Sequence, residues 1–246
     1  MRPFTALLLA GLLHSTAPSL LAQTAAAPSG HWEGTIKASG TEVPVEIDLA
    51  KNSKGELTGT FGQPAQHLKG LPLAGVSVNG TAVAFQIKGG APGERAFKGT
   101  LSDDGTTISG DFFSRQVGTV PFKLTRTGDA RIEATPASAA IGKELEGNWT
   151  GTLEVNGMQL RLALTTSNQS DGTATGGLVN VDEGLELPIA AIVQKASIVT
   201  FEVPAIGGAY SGTLNSDGTE MIGAFTQGAQ AAPMTFRRAP ATADKK

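Results

Sequence analysis

The most regular feature of the chain is alternation. Val43, Val45, Ile47 and Leu49 take every second place against Glu42, Pro44, Glu46 and Asp48, and Leu160, Leu162 and Leu164 do the same against Arg161, Ala163 and Thr165. A period of two sends one set to each face of an extended strand, so both runs predict strands with one dry and one wet face. Asn79-Gly80, Asp104-Gly105, Asn156-Gly157, Asp171-Gly172 and Asp217-Gly218 punctuate such runs. Asn or Asp followed by Gly tolerates the positive φ angles of two-residue hairpins, which predicts antiparallel strands joined by tight turns.

The same order of features occurs twice. Trp32-Glu33-Gly34-Thr35, Leu71-Pro72-Leu73, Val83-Ala84-Phe85, Lys98-Gly99-Thr100-Leu101, Asp104-Gly105-Thr106, Ile108-Ser109-Gly110-Asp111-Phe112 and Pro121-Phe122-Lys123-Leu124 make up the first set. They are answered in sequence by Trp149-Thr150-Gly151-Thr152, Leu187-Pro188-Ile189, Val199-Thr200-Phe201, Ser211-Gly212-Thr213-Leu214, Asp217-Gly218-Thr219, Met221-Ile222-Gly223-Ala224-Phe225 and Pro233-Met234-Thr235-Phe236. Two tandem modules are therefore expected, at 29–128 and 146–239. Residues 129–145 form a linker rich in Ala, Thr, Pro and Ser, without strand alternation and with room for one helical turn. About eight strands fit in each module, and eight sequential antiparallel strands close into an up-and-down barrel that leaves no free edge. An open sandwich is the alternative, and a last strand unpaired with the first would decide for it. The fold class expected is all-β, two tandem antiparallel barrels.

The residues at the two ends of each module resemble the lipocalin and calycin superfamily, which marks its first strand with Gly-x-Trp and its last with an Arg across that Trp. Gly30-His31-Trp32 and Gly147-Asn148-Trp149 open the modules, and Arg126 and Arg238 lie near their ends, on the parity of Phe122 and Leu124 and of Met234 and Phe236. The resemblance implies that each guanidinium stacks on its indole and closes one end of its barrel, a cation–π contact worth about 1 to 2 kcal/mol when desolvated. It covers nearly all of the chain beyond residue 28, but the middle-loop motif of the better-defined lipocalins is missing. The second copy is also similar to a module that precedes α/β-hydrolase domains in secreted bacterial proteins.

At the N-terminus, Arg2 precedes an apolar run from Ala6 to Leu13 and a small-residue stretch from Ser19 to Ala27, the plan of a secretory signal peptide. It is assigned to residues 1–22, with Ala25 or Ala27 as other cleavage points and a membrane anchor as the alternative. The run is shorter than the roughly 20 residues a membrane-spanning helix needs, so the processed chain is expected to have no span and to be periplasmic or secreted. Residues 240–246 are expected to be a disordered tail.

Composition narrows the function more than it defines it. A net charge of −3, with no basic cluster longer than Arg237-Arg238 in the body of the chain, argues against nucleic acid. There is no cysteine, so no disulfide. Beyond residue 22 only His31 and His67 remain, one on the outward parity of its strand and one in a loop, and no Gly-x-Ser-x-Gly elbow accompanies them. No catalytic residue is assigned, though an enzyme that works by confining a reactive substrate stays open. Metal and cofactor are not expected, since Asp103, Asp104, Asp182 and Glu183 read as solvated turn acids.

Glycine recurs on the inward parity, at Gly34, Gly99 and Gly110 and at Gly151, Gly212 and Gly223. Two readings stay open: space for a ligand, or close approach of sharply coiled strands. On parity a ligand would meet Phe85, Ile87 and Phe97 in one barrel and Phe201, Val203 and Tyr210 in the other, where the only tyrosine of the chain offers a hydroxyl, either to orient the ligand or to reach water. The expected function is binding of a small apolar molecule in one or both barrels. The alternative is a solid-barrelled module whose surfaces contact a protein or envelope component.

Overall fold

The computed structural model describes residues 27–240, apart from Ala134, Asn156 and the side chain of Val155. The expected signal peptide, the Asn156 half of one turn and nearly all of the expected tail lie outside the described residues.

Eight strands form the first barrel: β1 (Gly30–Ala38), β2 (Thr41–Lys51), β3 (Leu57–Gln63), β4 (Leu68–Asn79), β5 (Ala82–Ile87), β6 (Ala96–Leu101), β7 (Thr107–Ser114) and β8 (Gly118–Gly128). Each pairs antiparallel with the next, and β8 returns to pair with β1, so the ring is closed. Val45, Ile47 and Leu49 are buried inside it, as their alternation requires. Only the Asn79-Gly80 pair among the first barrel's two Asx-Gly turns makes a two-residue hairpin, with Asn79 paired to Ala82. Asp104-Gly105 lies in a longer loop, where the Asp104 carboxylate accepts the Thr106 backbone N–H at 3.0 Å. Asp171-Gly172 and Asp217-Gly218 also sit in longer loops, between Asn168 and Ala174 and between Leu214 and Met221.

The linker is shorter than its composition suggests. Its residues Ser138–Ala139 form β9, which pairs with a strand of the second barrel, and Ile141 and Leu145 are buried there. A hydrogen-bonded turn from Gly142 to Leu145 stands where a helical turn was expected. Ser138 Oγ also accepts the Ile192 N–H at 2.8 Å and the Ile141 N–H donates to Asn168 Oδ1 at 2.9 Å, so the segment is bound to the barrel without any strand period.

The second barrel consists of β10 (Gly147–Val155), β11 (Met158–Asn168), β12 (Thr173–Asn180), β13 (Leu185–Pro188), β14 (Ala190–Lys195), β15 (Ile198–Val203), β16 (Gly208–Leu214), β17 (Glu220–Gln227) and β18 (Gln230–Arg238). Its last strand pairs with its first, so it too is a barrel and not a sandwich, but the ladder is interrupted between β13 and β14. These two pieces together correspond to β4, and both copies carry a register shift at the same place. The residue in the shift is Gly75 at φ 61° in the first copy and Ala191 at φ 48° in the second. An L-residue there pays about 1 to 2 kcal/mol that glycine does not. Ala191→Gly is therefore expected to stabilise the second barrel by about 0.5 to 1 kcal/mol, read as a higher urea midpoint for Trp149 fluorescence in a chain whose Trp32 is replaced by Phe.

The barrels meet through β4 and the turns after β5 and β12. The Lys88 ammonium lies 2.8 Å from a Glu186 carboxylate oxygen, and Arg95 Nη2 donates to the Glu183 carbonyl at 2.7 Å. A Cβ on Gly184 would stand 2.9 Å from Gly90 Cα, so the two turns approach backbone to backbone. Among the described residues no helix is long and apolar enough to cross a membrane.

Candidate functional site

Consecutive hairpins alternate between the two ends of an up-and-down barrel, and the ends here are chemically unlike. At one end Trp32 is fully buried and pairs in register with Arg126, whose guanidinium lies 4.7 Å above the ring, while the indole N–H donates to Pro28 O at 2.9 Å. The second barrel repeats the arrangement: Arg238 lies 4.3 Å over Trp149, which donates to Leu145 O at 3.0 Å. Among the described residues Arg238 has the more hydrogen-bond partners of the two arginines. It donates to Gly218 O and Glu146 O, each at 2.7 Å, and to Glu144 O, whereas among the described residues Arg126 makes one such bond, to Ala27 O at 2.5 Å.

The middle of each barrel is filled. Phe97 is wholly buried, stacked on Phe85 at 4.9 Å, tilted against Phe112 at 4.6 Å and edge-on to Phe122 at 5.2 Å. In the second barrel Phe201 stacks on Tyr210 at 5.1 Å and Tyr210 meets Phe236 edge-on at 5.2 Å. The inward glycines serve this packing. Gly99 faces Gly110 across β6 and β7, and Gly212 faces Gly223 across β16 and β17. A Cβ on Gly110 would lie 2.5 Å from Gly99 Cα, and one on Gly223 would lie 2.5 Å from Gly212 Cα. On Gly99 it would lie 2.9 Å from Phe122 Cζ. The glycines let strands and rings close together, and the space they leave is already occupied.

Tyr210 belongs to that core and does not reach the mouth. Its hydroxyl donates to Met221 O at 3.2 Å, and burial pushes its pKa up to about 12. Because the folded value is raised, the neutral ring's contribution to stability is intact below the unfolded value of about 10 and is lost as pH climbs through about 12. With one tyrosine in the chain, tyrosinate absorbance is expected to appear near pH 12 in the native protein and near pH 10 in urea.

At the other end of the first barrel a cavity of about 270 Å³ opens, walled by Ile36, Val43, Val45, Phe61, Leu71, Ile87 and Phe112. The strands bring these side chains together because they share the inward parity near the β1–β2, β3–β4, β5–β6 and β7–β8 turns. The lining also holds the polar side chains of Gln63, Gln66, Ser114, Gln116 and Arg95, of which Ser114 is buried. Glu183 and Leu185, from the turn before β13 and its first residue, complete the wall, so the second barrel covers part of the first barrel's mouth. Of the three residues expected to line a ligand site here, Ile87 does so, and Phe85 and Phe97 lie in the aromatic cluster. Phe201, Val203 and Tyr210 are each at most 1% exposed within the second core.

Arg95 carried no sequence signal, because it sits in a turn where no periodicity applies. Its backbone is held at φ 53°, which costs a non-glycine residue about 1 to 2 kcal/mol. Its Nη1 is buried without a hydrogen-bond partner among the described residues, a situation that costs about 1 to 3 kcal/mol.

A second cavity, of about 240 Å³, lies outside the first barrel against Pro188, Pro204 and Ala205 of the second. His31 lines it. Outward parity does not leave this histidine exposed: it is 2% accessible, with Nδ1 2.8 Å from an Asp48 carboxylate oxygen and Nε2 3.2 Å from Glu33. Arg131 crosses above and donates its backbone N–H to the same Asp48 oxygen at 2.7 Å. His31 thus has a carboxylate of β1 and one of β2 at its two ring nitrogens, and it is Asp48 that also ties the linker down through the Arg131 N–H. Asp182 is bound by Arg161, at 2.7 Å from Nε.

No protein-family model matches the chain, and no curated protein matches it. Among solved structures it is similar to a putative outer membrane protein from Bacteroides fragilis, at 12% identity, with 86% of this chain and 97% of that one covered and a TM-score of 0.26. It is also similar to a protein of unknown function from the DUF3598 family of Nostoc punctiforme, at 12% identity, covering 88% of this chain and 97% of that one, with a TM-score of 0.22. At those scores neither likeness bears on the fold or function of this chain.

Proposed function

We propose that the chain is an exported binding protein whose first barrel takes a small apolar molecule at its mouth, with the second barrel as a solid support that supplies part of the cover. One observation carries the reading: the cavity of about 270 Å³ is walled mainly by apolar side chains of the first barrel, with a smaller set of polar side chains beside them. Apolar walls with a few convergent polar groups are the usual chemistry of small-molecule sites, and burial of apolar ligand surface there is favourable at about 25 cal/mol per Å².

Titration with an environment-sensitive fluorescent lipophile tests this. Saturation at one equivalent per chain is expected, and Val43→Phe, which fills the mouth from its half-buried edge, should abolish it while far-UV circular dichroism stays unchanged. Two equivalents per chain, or binding that survives Val43→Phe, would place the site elsewhere. No binding of any lipophile would turn attention to the barrel surfaces as contacts for a partner protein.

A further inference from the structure

Where the linker and the two barrels meet, the cavity of about 240 Å³ is lined by two acids of one strand, Glu46 and Asp48. They take alternate places on β2, so both side chains leave the barrel wall on its outer face, about 7 Å apart along the strand. Asp48 is only 9% exposed. One of its carboxylate oxygens lies 2.8 Å from His31 Nδ1 and accepts the Arg131 N–H at 2.7 Å. The other has no partner among the described residues, and it is not closed off from a ligand as Arg95 Nη1 is. Glu46 is half-buried and forms no ion pair among the described residues. A carboxylate oxygen held out of water without a donor is costly, and a cationic donor offsets that cost with a charge-assisted hydrogen bond.

The repeat shows that the barrel itself does not require these groups. Asn148 and Thr165 pair in register where His31 and Asp48 do, with Thr165 Oγ1 donating to Asn148 Oδ1 at 3.0 Å, and both are exposed. Ala163 stands where Glu46 does. The second barrel therefore closes with a neutral face at this place, and the acids occur in the copy that has the cavity against it.

The rest of the lining narrows the ligand. Pro136 of the linker and Pro188, Pro204 and Ala205 of the second barrel offer apolar surface. Lys69 and Arg131 also border the cavity, but both are exposed and neither forms an ion pair among the described residues. No three acidic or histidine groups among the described residues are placed to hold a metal ion, which leaves an organic cation. At roughly 30 Å³ per non-hydrogen atom, the share of one water in the liquid, the 240 Å³ holds about eight such atoms.

We infer that the cavity between the barrels is a second ligand site, for a small organic amine whose ammonium sits on Asp48 and Glu46 and whose apolar body, of about seven carbons, lies against Pro188, Pro204 and Ala205. The site lies outside the first barrel and is built from both barrels and the linker, so a single module would not have it.

Benzylamine, benzyl alcohol and benzoate share a body of this size and differ in charge. Calorimetric titration of the full chain is expected to show one benzylamine site, at least about tenfold tighter than benzyl alcohol, which is about 1.4 kcal/mol, with benzoate weakest. Proton NMR of the histidine rings should show His31 signals moving with benzylamine and those of His67, which does not line the cavity, staying in place. Asp48→Asn should remove the preference for the amine. The double variant His31→Asn, Asp48→Thr should do the same, and it copies a pair with which the second barrel already folds. Val43→Phe, at the first barrel's mouth, should leave benzylamine binding intact. Equal binding of amine and alcohol by the unaltered chain would overturn the cationic head group. A preference that survives both Asp48 variants would overturn the role of Asp48. Benzylamine binding that is absent, or that Val43→Phe abolishes, would overturn the second site itself.

Discussion

Trp32→Ala is expected to destabilise the first barrel by about 3 to 5 kcal/mol and to leave the second nearly untouched. The indole is fully buried, plugs the barrel's closed end beneath Arg126 and donates to Pro28 O, so its removal leaves a large cavity and takes away both partners at once. Each barrel contains one tryptophan, which makes the test direct. In the variant, Trp149 fluorescence reports the second barrel alone, while far-UV circular dichroism reports both. The expected result is a circular dichroism trace split into two urea transitions, the earlier one silent in fluorescence. A single transition shifted equally in both signals would instead show that the Lys88–Glu186 and Arg95–Glu183 contacts make the two barrels one cooperative unit. The arginines should rank by their anchoring among the described residues: Arg238→Ala, which frees three carbonyls there, is expected to cost more than Arg126→Ala, which frees one.

Gly110→Ala is expected to cost about 3 kcal/mol, the upper end of the usual range for overpacking, although it adds a single methyl group. The added carbon would lie 2.5 Å from Gly99 Cα and closer still to the Lys98 carbonyl oxygen. Both are backbone atoms in the β6–β7 ladder, which cannot move aside by changing a rotamer. Gly223→Ala should behave alike in the second barrel, against Gly212 Cα. Gly62→Ala is the control. Its nearest neighbours stand at 3.4 and 3.5 Å, ordinary van der Waals contact, so a change below about 1 kcal/mol is expected in urea denaturation. If Gly110→Ala were as mild as Gly62→Ala, the strands would be free to separate, and the inward glycines would be ligand space after all.

These effects separate what alternation and repetition specify from what they leave open. Parity along a strand is a local property, so the inward sets Val45, Ile47, Leu49 and Leu162, Leu164 could be assigned from sequence, and so could the Trp and Arg of each copy that meet across the first and last strands. The repeat likewise pointed to two modules of one plan, while the pairing of each last strand with its first, which decided for barrels over open sandwiches, came from the structure. Parity says nothing about the distance between strands. Whether Gly110 left a hole or a contact depended on how tightly β6 and β7 coil together and where the Phe122 ring comes to rest, both consequences of the closed ring.

The candidate site depended most on tertiary structure. The apolar wall was half legible, since parity selects every inward residue but does not tell a filled middle from an open mouth; that is why Ile87 reached the cavity and Phe85 and Phe97 did not. Arg95 and Glu183 are 88 residues apart, and Arg131 and Asp48 are 83 apart. Neither pairing leaves a periodic trace, because turns and linkers satisfy their polar groups case by case and not through a repeating ladder. The sequence by itself determined the strands, their dry faces, the repeat and the closed ends. How tightly each barrel is filled, and which charged group the second barrel holds at the first one's mouth, were decided only when the chain closed on itself twice and the two barrels met.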